Sequence, residues 1–181
     1  MRATVCFGIT GVLTAVLALV RITVLFYWFP LAGLGVSVVM CRTPQSFMPR
    51  PLPAMLCVFG WGITGCIVLF SMISLQADIE PLWGAFSWGL GFGIAGAICG
   101  RSLSPPGTIR GKHVDRRPFA GLVATGSFAF SGALAGYLAF TGFGTWNLWA
   151  LAGGLWLAFQ LGGLLCDIGW SLSCVQSREL S

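Results

Sequence analysis

Apolar residues in this chain come in unbroken blocks long enough to cross a lipid bilayer, and that constrains the fold more than any other feature. The clearest block is Ala54 to Leu75, with others over 82–99, 119–141 and 148–170. A helix rises about 1.5 Å per residue, so about 20 such residues span a hydrocarbon core of about 30 Å. Lipid offers no partner to a free N–H or C=O, which leaves only helices and closed barrels. A barrel would be written as alternating segments of about ten residues. The blocks here do not alternate, and the expected fold is all-α: a polytopic transmembrane helical bundle forming one membrane domain.

Charge is scarce and unevenly placed. Charged residues make up 8% of the chain and hydrophobic ones 56%, against about 25% charged in a soluble domain. Mean hydropathy is +0.88. The net charge of +5 comes from ten Lys and Arg against five acids. Arg101, Arg110, Lys112, Arg116 and Arg117 share the segment 101–118 with one acid, Asp115. Basic loops stay on the inner side of a membrane, so this one is expected on the cytoplasmic or equivalent face, against anionic lipid headgroups or a partner. No aromatic platform or nucleic-acid-binding motif accompanies the cluster, and a nucleic-acid partner is not expected.

The first forty residues admit two readings. A single helix over 5–41 would measure about 55 Å, well beyond the hydrocarbon core. Either two abbreviated spans, 5–22 and 24–41, or one span and a re-entrant segment must fit. The first gives six helices with both termini inside, the second gives five crossings. Met1 and Arg2 ahead of an apolar run imitate a signal peptide, but Arg21 leads straight into another apolar stretch, and the segment is read as an anchor.

Short internal matches suggest repeated two-helix hairpins. Gly8-Ile9-Thr10-Gly11 recurs as Gly62-Ile63-Thr64-Gly65. A Pro-Leu-x-Gly stretch follows each copy, at Pro30 to Gly33 and Pro81 to Gly84, and the hairpin turns are expected near those prolines. Cys41-Arg42 before Pro44 likewise echoes Cys99-Gly100-Arg101 before Pro105. Helix packing is expected along small residues four apart: Gly89 with Gly93, Gly96 with Gly100, Gly132 with Gly136, and Gly162 between Ala158 and Cys166. Such rows let helix backbones approach, within the chain or against another subunit.

Few residues can carry chemistry. Arg21 lies deep in the first span if the turn is at Pro30, and at the interface if the turn is at Arg21; a charge inside lipid needs a partner or water. Asp167, near the end of the last span, is a candidate proton- or cation-coupling carboxylate, with Arg21 or Arg42 as its expected partner. Gln160 offers an amide within the same helix. Asp78 and Glu80 sit in an outer connection where they can attract a cation. Trp83, Trp146, Trp149 and Trp170 fall near helix ends, while Trp61, Trp88 and Trp156 lie deeper and are read as packing or lipid contact. His113 and Asp115 lack the third ligand or nucleophile of a metal or catalytic site. Gly111-Lys112 lacks the rest of a phosphate loop. The odd cysteine number, seven, with no C-x-x-C pair, fits small buried hydrophobes. The sequence leaves any cofactor unknown.

A small transporter or channel using Arg21, Gln160 and Asp167 is the leading functional expectation. A non-catalytic accessory or assembly subunit of a larger membrane complex comes second, and an intramembrane enzyme third.

Overall fold

The structure, a computed structural model, describes residues 2–21, 24–40, 51–74, 81–103, 107–109, 112–114, 117–141 and 148–179. It contains six helices: α1 (Arg2–Val20), α2 (Leu25–Met40), α3 (Pro51–Ser74), α4 (Pro81–Leu103), α5 (Arg117–Phe140) and α6 (Leu148–Glu179). Between α4 and α5, β1 (Gly107–Ile109) and β2 (Lys112–Val114) pair antiparallel, with Thr108 opposite His113. The segment read as an irregular basic loop therefore carries a short hairpin. Five helices are long and apolar enough to cross a membrane, and the chain is an integral membrane protein. The shorter α2 has 16 residues, or about 24 Å.

Proline opens α3 and α4 at the first helical position, where its missing N–H is no loss. Pro30 behaves differently. It lies inside α2, and the turn expected there falls at Arg21, whose N–H reaches the Leu17 carbonyl at 2.9 Å. The reason is relative cost. A bilayer helix tolerates proline because neighbours compensate, whereas an arginine in the middle of a span must be paired or hydrated. The chain turns at the charge.

Each helix packs antiparallel on its sequence neighbours, and α1 packs on α6, closing a ring. The start of α1, the end of α2, the start of α3, the end of α4, the start of α5 and the C-terminal half of α6 consequently share one end. Three of these neighbouring pairs meet in the same way: α2 with α3, α4 with α5, and α6 with α1.

These three pairs use one contact. The even-numbered helix sets a glycine on a carbonyl of its partner: a Cβ at Gly33, Gly96 or Gly163 would stand 2.6, 2.5 or 2.9 Å from the carbonyl oxygen of Cys57, Ala124 or Ala3. In return Gly65, Gly132 and Gly11 face Phe29, Phe92 and Phe159: a Cβ added at each would stand 2.7, 2.8 and 2.9 Å from the phenylalanine Cβ. Only a residue without a side chain permits that approach.

The equivalence runs through the sequence as well. Phe7-Gly8-Ile9-Thr10-Gly11 and Trp61-Gly62-Ile63-Thr64-Gly65 have a third counterpart in Phe128-Ala129-Phe130-Ser131-Gly132. On the even helices, Phe29 to Gly33, Phe92 to Gly96 and Phe159 to Gly163 share the order Phe-x-Leu/Ile-small-Gly. Pro30 thus corresponds to Gly93 and Gln160, not to Pro81, and the Pro-Leu-x-Gly match has no structural counterpart.

Candidate functional site at the aromatic centre

Each helix sends one aromatic ring into the middle of the ring: Phe7, Phe29, Trp61, Phe92, Phe128 and Phe159, all 2% exposed or less. Trp61 touches the other five. Its indole stacks on Phe159 with centroids 4.9 Å apart and planes at 20°. It meets Phe92 and Phe128 edge-on, each at 5.7 Å, and Phe7 and Phe29 at 5.8 and 6.5 Å. Phe7 with Phe128 at 4.7 Å and Phe92 with Phe159 at 5.3 Å complete the cluster. Such ring pairs contribute about 0.5–1.5 kcal/mol each beyond burial. The middle of the bundle is closed by side chains, while the backbones meet at the seams around it.

Hydroxyls near this centre are satisfied locally. Among the described residues, all seven buried Thr and Ser side chains donate to a carbonyl of their own helix. Thr64, one turn from Trp61, also reaches across to the Gly91 carbonyl at 2.6 Å. Trp28 donates to Thr14 Oγ1 at 2.7 Å, and Trp88 to Ser71 Oγ at 3.0 Å. Trp61 differs. Its Nε1 is the one buried side-chain nitrogen or oxygen among the described residues that has no hydrogen-bond partner.

Asp167 is engaged at the α1–α6 seam. Its Oδ2 accepts from the Thr4 backbone N–H at 2.9 Å and from Thr4 Oγ1 at 2.6 Å, and its Oδ1 stands 3.4 Å from Ala3 N. Those amides belong to the first turn of α1, which has no carbonyl of its own to meet, so Asp167 caps one helix from another. The expected pairing with Arg21 does not form. Arg21 ends α1 while Asp167 meets its start, about 25 Å away along the helix, and Arg21 is exposed. These two are the only charged residues among the side chains described.

Gln160 follows Phe159 and is half-buried, with its side-chain oxygen against Gly8 of α1. It is the one polar side chain among the residues that immediately follow the six central rings. The glycine rows serve contacts inside the chain. Gly89 and Gly93 lie on Ala133 and Ala129, Gly96 and Gly100 on Ala124, Gly132 on Trp88 and Phe92, Gly136 on Gly84 and Trp88, and Gly162 on Phe128. Six of those seven draw α4 and α5 together.

Asp78, Glu80, Arg42, Arg110, Asp115 and Arg116 lie outside the described residues. For Arg101, Lys112, His113 and Arg117 the backbone alone is described, at the end of α4, in β2 and at the start of α5. No three His, Cys, Asp or Glu come together among the described residues. Trp61 and Trp88 are fully buried, whereas Trp83, Trp149 and Trp156 are exposed.

Two features escape a linear reading. The buried Cys57 and Cys99 thiols come together across α3 and α4, although 42 positions separate them in the chain. The central rings are the other. Their only sequence signal is the aromatic four residues before a glycine, repeated six times, and glycine-rich helices produce that spacing freely. No family model matches the chain, and neither a curated protein nor a solved structure does.

Proposed function

We propose that this protein is a small membrane transport protein whose path runs through the middle of the helix ring and is closed in this state by the aromatic centre. The observation that carries the reading is that six helices each place one aromatic ring at a common point, while glycine seams hold the backbones at the periphery. Rings can turn or part without unpacking the seams, so the centre is the soft element of a rigid frame. Interfaces that fit in a few discrete ways are the usual basis of gating. A path lined by aromatic faces, with no described charge at its middle, suits a small uncharged solute. Asp167 is occupied as a cap, which argues for facilitated passage over ion coupling.

The helix ends that flank the β-hairpin and adjoin Arg2 and Arg42 take the inner side, where the basic segment meets anionic headgroups. The decisive experiment is passage of small neutral solutes into liposomes containing the purified protein. Phe92→Leu and Phe92→Ala are expected to raise flux in that order, as ring volume is removed. Silence of wild type and both variants, with the fold intact, would sink the proposal. The alternative is an accessory subunit. It draws support from the buried hydroxyls, each of which donates to a carbonyl of its own helix, and from the sparse polar lining. That reading expects a silent protein whose thermal stability rises when a partner subunit binds.

A further inference from the structure

Three positions are equivalent in the ring, and they are not filled alike: Phe7 on α1, Trp61 on α3 and Phe128 on α5. Phenylalanine suffices to close the centre from α1 and α5. At the third position the indole brings an N–H into the most buried point of the molecule and leaves it unbonded. A buried donor without a partner is costly, and tryptophans in protein interiors normally find one, as Trp28 and Trp88 do here. Neighbours could have supplied one. Thr64, a turn away, donates to the Gly60 and Gly91 carbonyls, yet its oxygen accepts no bond from the indole. The indole edge also lies over Gly33, where a side chain would collide with it: a Cβ there would be 3.0 Å from Trp61 Cδ1. The site therefore has a free donor, aromatic faces on several sides and a glycine wall.

Resting on the transport reading above, we infer that Trp61 is the substrate-recognising residue of the path. Its indole N–H donates to the carbonyl or hydroxyl oxygen of a small uncharged solute as the rings part. Closed, the centre leaves this donor unsatisfied; with solute between the rings it is bonded. The unmet bond thus favours the occupied state. A solute lacking an acceptor gains nothing at this point. Size alone does not explain the tryptophan, because the equivalent positions close with a smaller ring.

The test separates the N–H from the ring. Trp61→Phe removes both the donor and part of the volume; 3-benzothienylalanine at position 61 keeps the bicyclic shape and replaces the N–H by sulfur. With acetamide as the probe solute, the benzothienyl substitution is expected to lower flux about tenfold, the effect of one hydrogen bond of about 1.4 kcal/mol, and Trp61→Phe to lower it less, because the volume it removes opens the path. Wild-type flux in the benzothienyl protein overturns the inference. Binding is read independently in detergent. The indole N–H band, obtained as the Raman difference between wild type and Trp61→Phe, is expected in its free form alone and in its bonded form with acetamide. A band already bonded without solute, or unmoved by acetamide, overturns the assignment even if no variant conducts. Silence of wild type and Phe92→Ala together with a shifting band would instead remove transport and leave Trp61 as a binding site.

Discussion

The glycine seams and the aromatic centre are both fully buried, yet they meet their neighbours in opposite ways. At the seams a helix backbone lies against another backbone. Gly96 faces the Ala124 carbonyl with no room for a methyl group. At the centre no backbones meet, and six rings fill the space between them. Lipid supplies little hydrophobic drive to hold helices together, so close approach and van der Waals contact have to do so. A seam therefore depends on backbone fit, whereas the centre depends on six side chains filling the space between the helices. On the transport reading proposed above, the seams are the rigid layer and the ring centre is the layer that moves.

Substitutions can break this contrast, and the largest effect is expected at a seam. Gly96→Leu drives a branched side chain into the Ala124 carbonyl, which cannot retreat without parting α4 from α5. Overpacking costs about 1–3 kcal/mol and more where backbone must move. Little monodisperse protein is expected in detergent, and a normal yield with an unchanged melting temperature would show that the seam is not rigid. Next comes Phe92→Ala at the centre. Removing a buried ring costs about 3–5 kcal/mol in well-packed cores, and here the protein is expected to stay folded while solute flux rises. Loss of the folded state on a par with Gly96→Leu would erase the distinction between the two layers.

Smaller effects refine it. Asp167→Ala leaves the first turn of α1 uncapped, and a loss of about 1 kcal/mol in thermal unfolding is expected, typical of a lost cap. Neutral-solute flux should be unchanged. If Asp167→Asn instead abolished a pH dependence of transport, the carboxylate would be a coupling group after all. Smallest are Gly35→Ala and Gly153→Ala, helical glycines with nothing within 4 Å of an added Cβ. Each is expected to raise stability by no more than about 1 kcal/mol, from helix propensity alone. A marked loss at either would mean that a surface apparently free in this structure is packed against something.

Legibility in the sequence followed the range of the interaction. Helix existence was readable because burial in lipid acts on contiguous residues, and the clear blocks lie close to α3 through α6. The end of α1 was half readable. Arg21 marked a turn and Pro30 marked another, and choosing between them required weighing a buried charge against a missing hydrogen bond. The repeat was caught in two copies, since Gly-Ile-Thr-Gly is literal in α1 and α3, and missed in α5, where only the aromatic, the hydroxyl and the final glycine persist. Asp167 was singled out as unusual, with Arg21 or Arg42 as its partner; Arg21 lies at the far end of α1, and Arg42 is outside the described residues. Its contact with Thr4 joins the two ends of the chain, and nothing local to either end announces it.

By itself the sequence determined that this chain lives in a membrane as helices, where those helices run, and that one connection is basic. These follow from solvation, which each segment settles on its own. The tertiary structure alone decided which helices share a seam, that α6 returns to α1, and that five distant rings meet around Trp61. Those outcomes depend on shape matching between surfaces many residues apart. In lipid that matching rests on close fit, because apolar side chains are at home against any neighbour.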